Sequence, residues 1–368
     1  MRVLHLAPYP PARDGIGAYA RVLAAALADR GHETAVVAAR PHPSSPPEVL
    51  GALGDPGLPE KIARFRPDLV HVQFAVPAFG LRVPAVLRLL RELDAPVVAT
   101  LHEITRDTAL LRAPGRLLYR RLASRCAALI VHTRDARAAA GSAELIPHFC
   151  APPPPSTTTS DALRARFSLG SAPVVLAFGF IHVDKGLDVL ADALRHVDDA
   201  MLVVAGAVRA RDPLFKPMEL RDRRHEREVR AALTRHGLAH RVVFTGHVPE
   251  AEVAAWFATA AVAVLPYRKA AQSGVAHLAL ASRTPLVATA VGGLPDLFSA
   301  SGSATEPREA GEPSRGLLAP PGDAAELAKA IRTVLDGGGH PLQGLAPGPE
   351  EVAARTEALY ERVLAGAV

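Results

Sequence analysis

The stretch PYRKAAQSGVAHLALASRTPLVATAVGGLP, residues 266–295, contains the pattern that decides the fold of the carboxyl half. An apolar run leads into a polar loop, then Gln272-Ser273-Gly274, then an Ala/Leu-rich run that predicts a helix. A β-like run over 286–289 follows. Strand, small-residue loop and helix in this order predict an anion site, because the first turn of a helix leaves N–H groups unpaired and its dipole favours negative charge.

The length and composition predict a globular protein of two domains. A chain of 368 residues exceeds the size at which one core usually stops growing. Hydrophobic residues make up 49% and charged residues 21%, which fits packed domains and argues against disorder. Cys126 and Cys150 form no CxxC pattern, the first apolar run is too short for a signal peptide, and no run reaches the roughly 18 apolar residues of a membrane span. These features indicate a cytoplasmic protein.

The charge of the chain argues against a nucleic-acid partner. The net charge of +5 comes from arginines scattered along the sequence rather than from a basic block. Nucleic-acid binding would favour clustered basic residues interleaved with aromatic side chains, which are only 5% of the chain. A mildly basic protein that handles anionic metabolites fits better.

Short apolar runs alternate with helical patterns, which predicts an α/β protein with parallel sheets and helices on both faces. Prolines at 152–155 and the Ser/Thr residues after them interrupt the series. We expect Rossmann-like domains over 1–155 and 156–348, and a last helix over 349–368 that packs towards the first domain. The predicted strands cover residues 3–7, 34–38, 69–73, 97–101, 128–131, 174–178, 200–205, 242–245, 262–265 and 286–289.

Residues 14–17, DGIG, follow the first strand and open the first helix. A single GxG at this place is a weak dinucleotide-binding signal. Ala20 stands where the third glycine would be, and Arg40 follows the second strand where an acidic residue is expected. A dinucleotide-dependent dehydrogenase is therefore disfavoured. Two interpretations of Gly15 and Gly17 stay open: a tight strand-to-helix turn, or a loop that contacts substrate.

The segment FGFIHVDKGLD, residues 178–188, opens the second sheet at the equivalent place. Lys185 precedes a helix and could reach a phosphate as a point charge. His182 lies three residues upstream, and Arg209 follows the next strand. A solvated loop lysine is the alternative, but a place after a central strand and beside a glycine favours a functional Lys185.

An ordered series of segments resembles family 4 of the glycosyltransferases. The resemblance runs from Val3 to about Ala328 in the family's order, which makes it far more specific than any one motif. It implies the GT-B fold, with two Rossmann-like domains facing across a cleft, the acceptor in the first and a nucleotide-sugar donor in the second. The segments are DGIGAYARVLAAALADRGHETAVVA, DLVHVQF, LHE, VHT, LIPH, FGFIHVDKGLDVL, VVFTGHVPEAEVAAWFATAAVAVLPY and QSGV with TPLVATAVGGLPD.

The resemblance also implies roles for single residues. Lys185 would bind the donor diphosphate together with the backbone N–H groups of Ser273, Gly274 and Val275, and His102 would lie near the transferred sugar. The rest of the predicted donor site is His182 and Arg209 near the phosphates, Gly246, His247 and Val248 beside the base, Gln272 at the sugar, and Gly15 and Gly17 where donor phosphate and acceptor meet.

The reaction that the resemblance implies is sugar transfer with retention of anomeric configuration and without an obligatory metal or cofactor. The chain has no Asp-x-Asp motif, which agrees. The donor would be a UDP-, GDP- or other nucleotide sugar. The acceptor would be a hydroxyl of a small molecule or glycoconjugate, in a specialised-metabolite or cell-envelope pathway. The Ala-, Arg- and Pro-rich composition is compatible with a high-GC bacterium.

Some positions depart from the family pattern. The usual Glu-x7-Glu pair would fall at Ala270 and Leu278, and the arginine that commonly follows the strand-end glycine is Phe180, with His182 as a substitute. Gln272 could bond the donor sugar in place of a glutamate. Two alternatives therefore stay open: a nucleotide-sugar-binding protein without catalysis, and a GT-B sugar-nucleotide epimerase.

His102 and Glu103 follow the predicted strand 97–101 and form a candidate catalytic pair. Histidine titrates near neutral pH, so His102 could act as a base while Glu103 orients it or contacts the acceptor. A histidine that only makes a hydrogen bond at a strand end is the alternative. Structural roles are favoured for His71 and His132.

A basic helix is predicted over residues 117–125. It could dock on an anionic membrane or steer an anionic acceptor, but a helix that precedes a core strand is expected to bury its leucines, so membrane contact is disfavoured. The arginines around it are Arg112, Arg116, Arg120, Arg121 and Arg125.

Overall fold

The computed structural model describes residues 1–10, 14–211, 213–270, 272–298, 315–342 and 347–367. The chain divides into two compact units, Met1–Phe149 joined by Pro347–Val368, and Cys150–Ala346. Each unit contains one sheet, and every strand pair in both sheets is parallel except the last pair of the second. The predicted α/β architecture with two parallel-sheet domains is confirmed.

The first unit alternates strands and helices along the chain. Its strands are β1 (Arg2–Ala7), β2 (Glu33–Ala38), β3 (Val49–Ala52), β4 (Leu69–Phe74), β5 (Val97–Leu101), β6 (Ala128–Val131) and β7 (Glu144–Leu145). Its helices are α1 (Gly15–Asp29), α2 (Leu58–Phe65), α3 (Val76–Phe79), α4 (Val83–Glu92), α5 (Ile104–Ala123) and α6 (Arg134–Ala140). The strand order β3-β2-β1-β4-β5-β6-β7 places β1 inside the sheet, between β2 and β4.

The second unit repeats this plan. Its strands are β8 (Val174–Phe178), β9 (Met201–Ala205), β10 (Val242–Phe244), β11 (Val262–Leu265), β12 (Leu286–Thr289), β13 (Arg315–Ala319) and β14 (His340–Pro341). Its helices are α7 (Ser160–Arg166), α8 (Leu187–Ala193), α9 (Lys216–Arg235), α10 (Val253–Thr259), α11 (Gly274–Ala281) and α12 (Ala324–Leu335). In the order β10-β9-β8-β11-β12-β13-β14, the first strand of the unit, β8, again lies inside the sheet, between β9 and β11.

The sequence predicted five strands in each sheet, and this was wrong by two in each case. The missed strands are β3, β7, β13 and β14. They lie towards the sheet edges and are five residues long or less, so their apolar patterns are too short to separate from loops.

The last helix, α13 (Pro349–Leu364), belongs to the first unit, where it packs against α1. Glu357 accepts hydrogen bonds from Arg30 Nε at 2.6 Å and pairs with His32 Nε2 at 2.9 Å. Tyr360 is fully buried against the sheet. The helix therefore completes the first unit although the whole second unit separates it in sequence.

The two faces of the first sheet differ in chemistry. Side chains alternate along each strand, so Leu4, Leu6, Val70 and Val72 share one face and lie in a large apolar core. The opposite face, towards α1 and α13, carries four fully buried polar side chains: His5, His71, Gln73 and Thr100. His5 and His71 are direct neighbours on β1 and β4, and Gln73 and Thr100 are direct neighbours on β4 and β5.

Helix α5 is longer than the predicted helix over 117–125 and is broken inside. Arg112 has φ of 52° and ψ of −126°, two residues before Pro114, whose ring disfavours a continuous helix. Buried Asp107 ties α5 to α3, because its Oδ2 accepts from the Val76 N–H at 2.8 Å and from the Tyr119 hydroxyl at 2.7 Å. The prediction missed the first half of the helix because it is polar and ends at a proline.

We expect His5→Leu to reduce the acid sensitivity of the first unit. Neither ring nitrogen of His5 has a partner among the described residues, and burial lowers its pKa to about 4. The unfolded chain binds the proton more tightly, so stability falls as the pH falls from about 6.5 to about 4, by about 3 kcal/mol for this group. Urea unfolding at pH 7 and pH 4 measures the difference.

Exposed His42, in the same unit, provides the control for this substitution. His42→Leu should leave the pH dependence of unfolding unchanged. An equal loss of stability in wild type and His5→Leu between the two pH values would show that His5 is not a source of the acid sensitivity.

Candidate functional site

Helix α11 begins with backbone donors that the protein itself does not use. Ser273 caps the helix by accepting from the Ala276 N–H at 3.3 Å, and its carbonyl accepts from His277 Nδ1 at 2.8 Å. The N–H groups of Gly274 and Val275 have no partner among the described residues. Gly274 is exposed, and a Cβ atom there would meet no atom within 4 Å. This helix start can therefore receive an anion.

Lys185 is placed next to α11 by an aromatic side chain. It ends the 3-10 turn Val183–Lys185 after β8, and its Nζ lies 3.6 Å from the centre of the Tyr267 ring. The Tyr267 hydroxyl is 3.3 Å from Ser273 Oγ, the cap of α11. Within the described part of the chain, Lys185 has no carboxylate partner. A positive charge and an open helix start thus lie beside one buried tyrosine.

A clamp that the sequence analysis missed holds the Lys185 turn against the loop after β11. The Arg268 guanidinium forms a bidentate pair with Asp188, with one bond at 2.6 Å, and also donates to the Val183 carbonyl at 3.2 Å. The Arg268 N–H donates to the Asp184 carbonyl at 2.8 Å. The only sequence signal was an arginine among polar loop residues, which does not reveal a partner 80 residues away.

Two glycines permit the close packing of these loops. Gly186 has φ of +63°, and a Cβ there would lie 1.9 Å from the Pro266 carbonyl oxygen. Gly179 has φ of +105°, and its Cβ would lie 3.4 Å from Val275 Cγ2. The end of β8 thus contacts the first turn of α11, and a larger residue at position 186 would push the Lys185 turn away.

Other predicted donor residues lie around the same sheet edge. The Arg209 guanidinium carbon is 5.5 Å from the centre of the Phe180 ring, which places a cation beside the position where the resemblance predicts an arginine. His182 Nδ1 accepts from the Asp184 N–H at 3.1 Å, so it caps the Lys185 turn. Gln272 is half-buried, and its Oε1 is buried without a partner among the described residues.

The loop after β10 contains the three residues predicted to lie beside the nucleotide base. Gly246 has φ of +72° and His247 is exposed, whereas the Val248 side chain lies in the core of the unit. The two positions of the missing carboxylates, Ala270 and Leu278, are half-buried and pack against the same core. A carboxylate at position 278 would therefore have apolar neighbours.

The start of α1 differs from that of α11. The Asp14 carboxylate caps α1 by accepting from the N–H groups of Ile16 at 2.9 Å and Gly17 at 3.2 Å. A Cβ at Gly17 would lie 2.4 Å from the Pro8 carbonyl oxygen, whereas a Cβ at Gly15 would meet nothing within 4 Å. Gly17 is thus required by packing, and Gly15 borders open space. The sequence alone does not distinguish these two roles.

Aromatic rings surround His102 at the carboxyl edge of the first sheet. The rings of Tyr19 and His132 lie 5.1 Å and 5.0 Å from the His102 ring, and Tyr19 also stacks on Phe149 at 4.5 Å. His102 Nε2 is 2.8 Å from Gln73 Oε1. Burial and then the neighbouring His132 and His71 hold the pKa of His102 well below its ordinary value, so the imidazole is neutral at physiological pH.

Glu103 points to a different partner. Its carboxylate lies 3.8 Å from Arg106 on the next turn of the chain. The described contacts of His102 do not include Glu103. The two residues predicted as a pair are therefore neighbours in sequence, while Gln73 is the hydrogen-bond partner of His102.

The second half of α5 presents an outward basic face. Gly115, Tyr119 and Leu122 face inwards, and Leu117 is 49% exposed, so the expectation that this helix buries its leucines holds only in part. No carboxylate among the described residues pairs with the four exposed arginines of this face, which are Arg112, Arg116, Arg120 and Arg121. Within the described ranges, no helix has the length and apolarity needed to cross a membrane.

In the described ranges, no three His, Cys, Asp or Glu side chains come together in a way that could hold a metal ion. The second unit thus combines a parallel sheet, an open helix start and a lysine at the carboxyl edge. These features define a unit whose sheet edge can receive an anionic group such as a phosphate.

Comparison with known families identifies the protein more closely. Residues 13–147 match the model of Glycosyltransferase Family 4, and residues 172–337 match the model of Glycosyl transferases group 1. The two models together cover most of the chain. The chain therefore belongs to the family 4 type of glycosyltransferase, as the ordered motifs predicted.

Individual relatives agree with this assignment. A 2-deoxystreptamine glucosyltransferase from Streptomyces kanamyceticus is 34% identical over 146 residues, which are 37% of this chain and 35% of the relative. The match thus spans about a third of that relative's length. Two solved structures share the fold. Sucrose-phosphate synthase from Thermosynechococcus elongatus has a TM-score of 0.71 and 21% identity, and the match covers 100% of both chains. Anabaena HepE in complex with UDP-glucose has a TM-score of 0.67 and 17% identity, and the match covers 100% of this chain and 99% of HepE. The GT-B fold is confirmed.

We expect Gly17→Ala to destabilise the protein and Gly15→Ala to leave its stability almost unchanged. The first should lower the free energy of unfolding by about 1–3 kcal/mol, because the added Cβ overlaps a backbone carbonyl. The second should change it by less than about 0.5 kcal/mol. Urea unfolding of both variants measures this. Equal stability of the two variants would contradict the assignment of Gly17 to packing.

Proposed function

We propose that this protein is a retaining hexosyltransferase that moves a sugar from a nucleotide-sugar donor to a hydroxyl group of an acceptor. The observation that carries the proposal is the position of Lys185 on the Tyr267 ring beside the open start of α11. Negative charge develops on the nucleoside diphosphate as it leaves. The Lys185 ammonium and the unpaired backbone N–H groups at the start of α11 would stabilise that charge where it forms. Retention rests on the resemblance of the ordered motifs to family 4.

The second unit would bind the donor and the first the acceptor. In this proposal the N–H groups of Gly274 and Val275 and the Lys185 ammonium hold the diphosphate, and Arg209 supplies a further cation. Gln272 would bond the sugar, since its buried Oε1 has no partner among the described residues. The loop Gly246–Val248 would lie beside the base, with the backbone and His247 rather than the core residue Val248 available to it.

UDP-glucose is the first donor to test, because HepE, which shares the fold, was solved with it. An aminocyclitol is the first acceptor to test, because the Streptomyces relative is named for transfer to 2-deoxystreptamine. His102 would contact the reacting sugar or the acceptor, and Glu103 the acceptor. The outward arginines of α5 would steer an anionic acceptor rather than dock on a membrane. We also propose a cytoplasmic location, since Cys126 and Cys150 are both free thiols.

One observation favours a second function, nucleotide-sugar binding without catalysis. Ala270 and Leu278 stand where the family has carboxylates, and both pack against an apolar core. Both functions require the same diphosphate pocket, so donor binding cannot distinguish them. Turnover of the donor does, because only the enzyme consumes it.

We expect UDP-glucose to raise the melting temperature of the wild-type protein and Lys185→Ala to abolish that rise. A ligand that binds only the folded state raises the melting temperature, because at 100 times its Kd it adds about 2.7 kcal/mol to the free energy of unfolding. Gly274→Val should weaken the shift as well, since the valine side chain would occupy the space over the helix start without meeting other atoms. Thermal unfolding with a panel of nucleotide sugars measures these shifts.

The outcomes of this titration are distinct. A shift that survives in both Lys185→Ala and Gly274→Val would contradict the proposed diphosphate pocket. A shift in the wild type without release of UDP when acceptors are added would support the binding protein over the enzyme.

We expect Arg268→Ala to weaken donor binding by about tenfold, because the clamp to Asp188 no longer holds the Lys185 turn. Titration calorimetry with the donor measures the affinity. Arg166→Ala is the matched control, since Arg166 forms a bidentate pair with Glu252 in the same unit outside the candidate site. Wild-type affinity in Arg268→Ala would show that the clamp does not position Lys185.

A further inference from the structure

A row of buried polar side chains connects the C-terminal helix α13 to His102. The Tyr360 hydroxyl lies 2.6 Å from His71 Nδ1, and Gln73 Nε2 lies 3.2 Å from His71 Nε2. Gln73 Oε1 lies 2.8 Å from His102 Nε2. Tyr360, His71 and Gln73 are fully buried, and His102 is 6% exposed. Water is therefore a poor competitor for these bonds, and each link affects the next.

The chemistry of Gln73 sets the position of the proton on His102. An amide oxygen only accepts hydrogen bonds, so His102 Nε2 must carry a proton, and this N–H donates a hydrogen bond to Gln73 Oε1. A neutral imidazole has one ring proton, so the His102 Nδ1 then has a free lone pair. Within the described ranges, no hydrogen-bond partner contacts that Nδ1.

The orientation of the Gln73 amide depends in turn on His71. The Gln73 Nε2 lies 3.2 Å from His71 Nε2 and 3.4 Å from His71 Nδ1, so the NH2 group faces the His71 ring, and the Thr100 hydroxyl lies 2.7 Å from His71 Nε2. The hydroxyls of Thr100 at Nε2 and of Tyr360 at Nδ1 hold the His71 ring through its two nitrogens. Burial also keeps His71 neutral, because it lowers the pKa well below the ordinary value. The His71 ring therefore connects the Gln73 amide to Tyr360 of α13.

We propose that Gln73, held by His71 and by Tyr360 of α13, fixes His102 in the Nε2–H tautomer and so presents the His102 Nδ1 lone pair to a hydroxyl group of the substrate. The inference rests on the proposed function, in which His102 contacts the sugar or the acceptor. Gln73, His71 and Tyr360 are positioning residues, since none of them needs to touch the substrate.

The groups around His102 are compatible with this role. Tyr19 of α1, His132 after β6 and His71 of β4 face it, and Glu103 follows it in the chain. Burial raises the pKa of Tyr19, so its phenol stays neutral. Glu103 has Arg106 nearby. A neutral His102 with a fixed tautomer can accept a hydrogen bond from a hydroxyl without first losing a proton.

Nitrogen NMR of the full-length protein, labelled with ¹⁵N-histidine and studied without donor at pH 8, tests the tautomer directly. A ring nitrogen that carries a proton has a different chemical shift from one that does not. We expect the shifts of His102 to show the proton on Nε2 and none on Nδ1. Gln73→Leu and Tyr360→Phe should both produce a mixture of tautomers. A wild-type proton on Nδ1, or an unchanged tautomer in both variants, would overturn the inference.

Tyr119→Phe is the matched control, because it also removes a buried tyrosine hydroxyl in the first unit, one that is bonded to Asp107 instead of His71. It should leave the His102 tautomer unchanged. Gln73→Glu covers the case in which Gln73→Leu fails to fold. The carboxylate accepts from Nε2–H as the amide does, so the tautomer should persist while the His102 titration moves to higher pH. No movement in Gln73→Glu would contradict the contact.

Kinetics separates this inference from the proposed function. If the enzyme transfers sugar, Gln73→Leu should lower kcat by about tenfold or more with little change in the donor KM. A mixed tautomer with full kcat would overturn the presentation of Nδ1 to substrate while leaving transferase activity intact. Absence of any transfer in the wild type would count against the proposed function, and the NMR result would still decide the tautomer.

Discussion

The parallel direction of the strands is the constraint on which both units depend. In a parallel sheet every strand ends at the same edge, so the loops that follow them meet there. Lys185 follows β8 and α11 follows β11, and these two strands are neighbours. His102 follows β5 and His132 follows β6, which are also neighbours. Residues far apart in sequence come together because the topology allows no other place for them.

The same element, a helix start at that edge, serves two purposes in the two units. In α1 the protein supplies its own anion, since the Asp14 carboxylate accepts from the first-turn N–H groups. In α11 the cap is the neutral Ser273, and two N–H groups have no partner among the described residues. The presence or absence of one carboxylate at the cap thus decides whether a helix start is satisfied internally or can bind an external anion.

The C-terminal helix has a chemical as well as a packing role. A parallel sheet is buried on both faces, so polar side chains on a covered face need partners. His71 finds one in Tyr360, which only α13 can supply, and Gln73 extends the row to His102. The unit would otherwise contain His71 with an unpaired nitrogen in a dry site. Helix α13 therefore covers the first sheet at the place where buried His71 needs a hydrogen-bond partner.

The sequence by itself determined the class of fold, the ordered motifs of the family and the main candidate residues. Apolar periodicity and glycine or proline at strand ends are local signals, and so β1, β8, α11 and the Lys185 turn could be predicted from them. The tertiary structure alone decided the clamp of Arg268 on Asp188, the contact of Tyr267 with Lys185, the different roles of Gly15 and Gly17, and the partner of His102. These are contacts between residues distant in sequence or differences in the space around a Cβ atom. They leave no local pattern, since any polar loop can contain an arginine, and only the packed sheet determines what it meets.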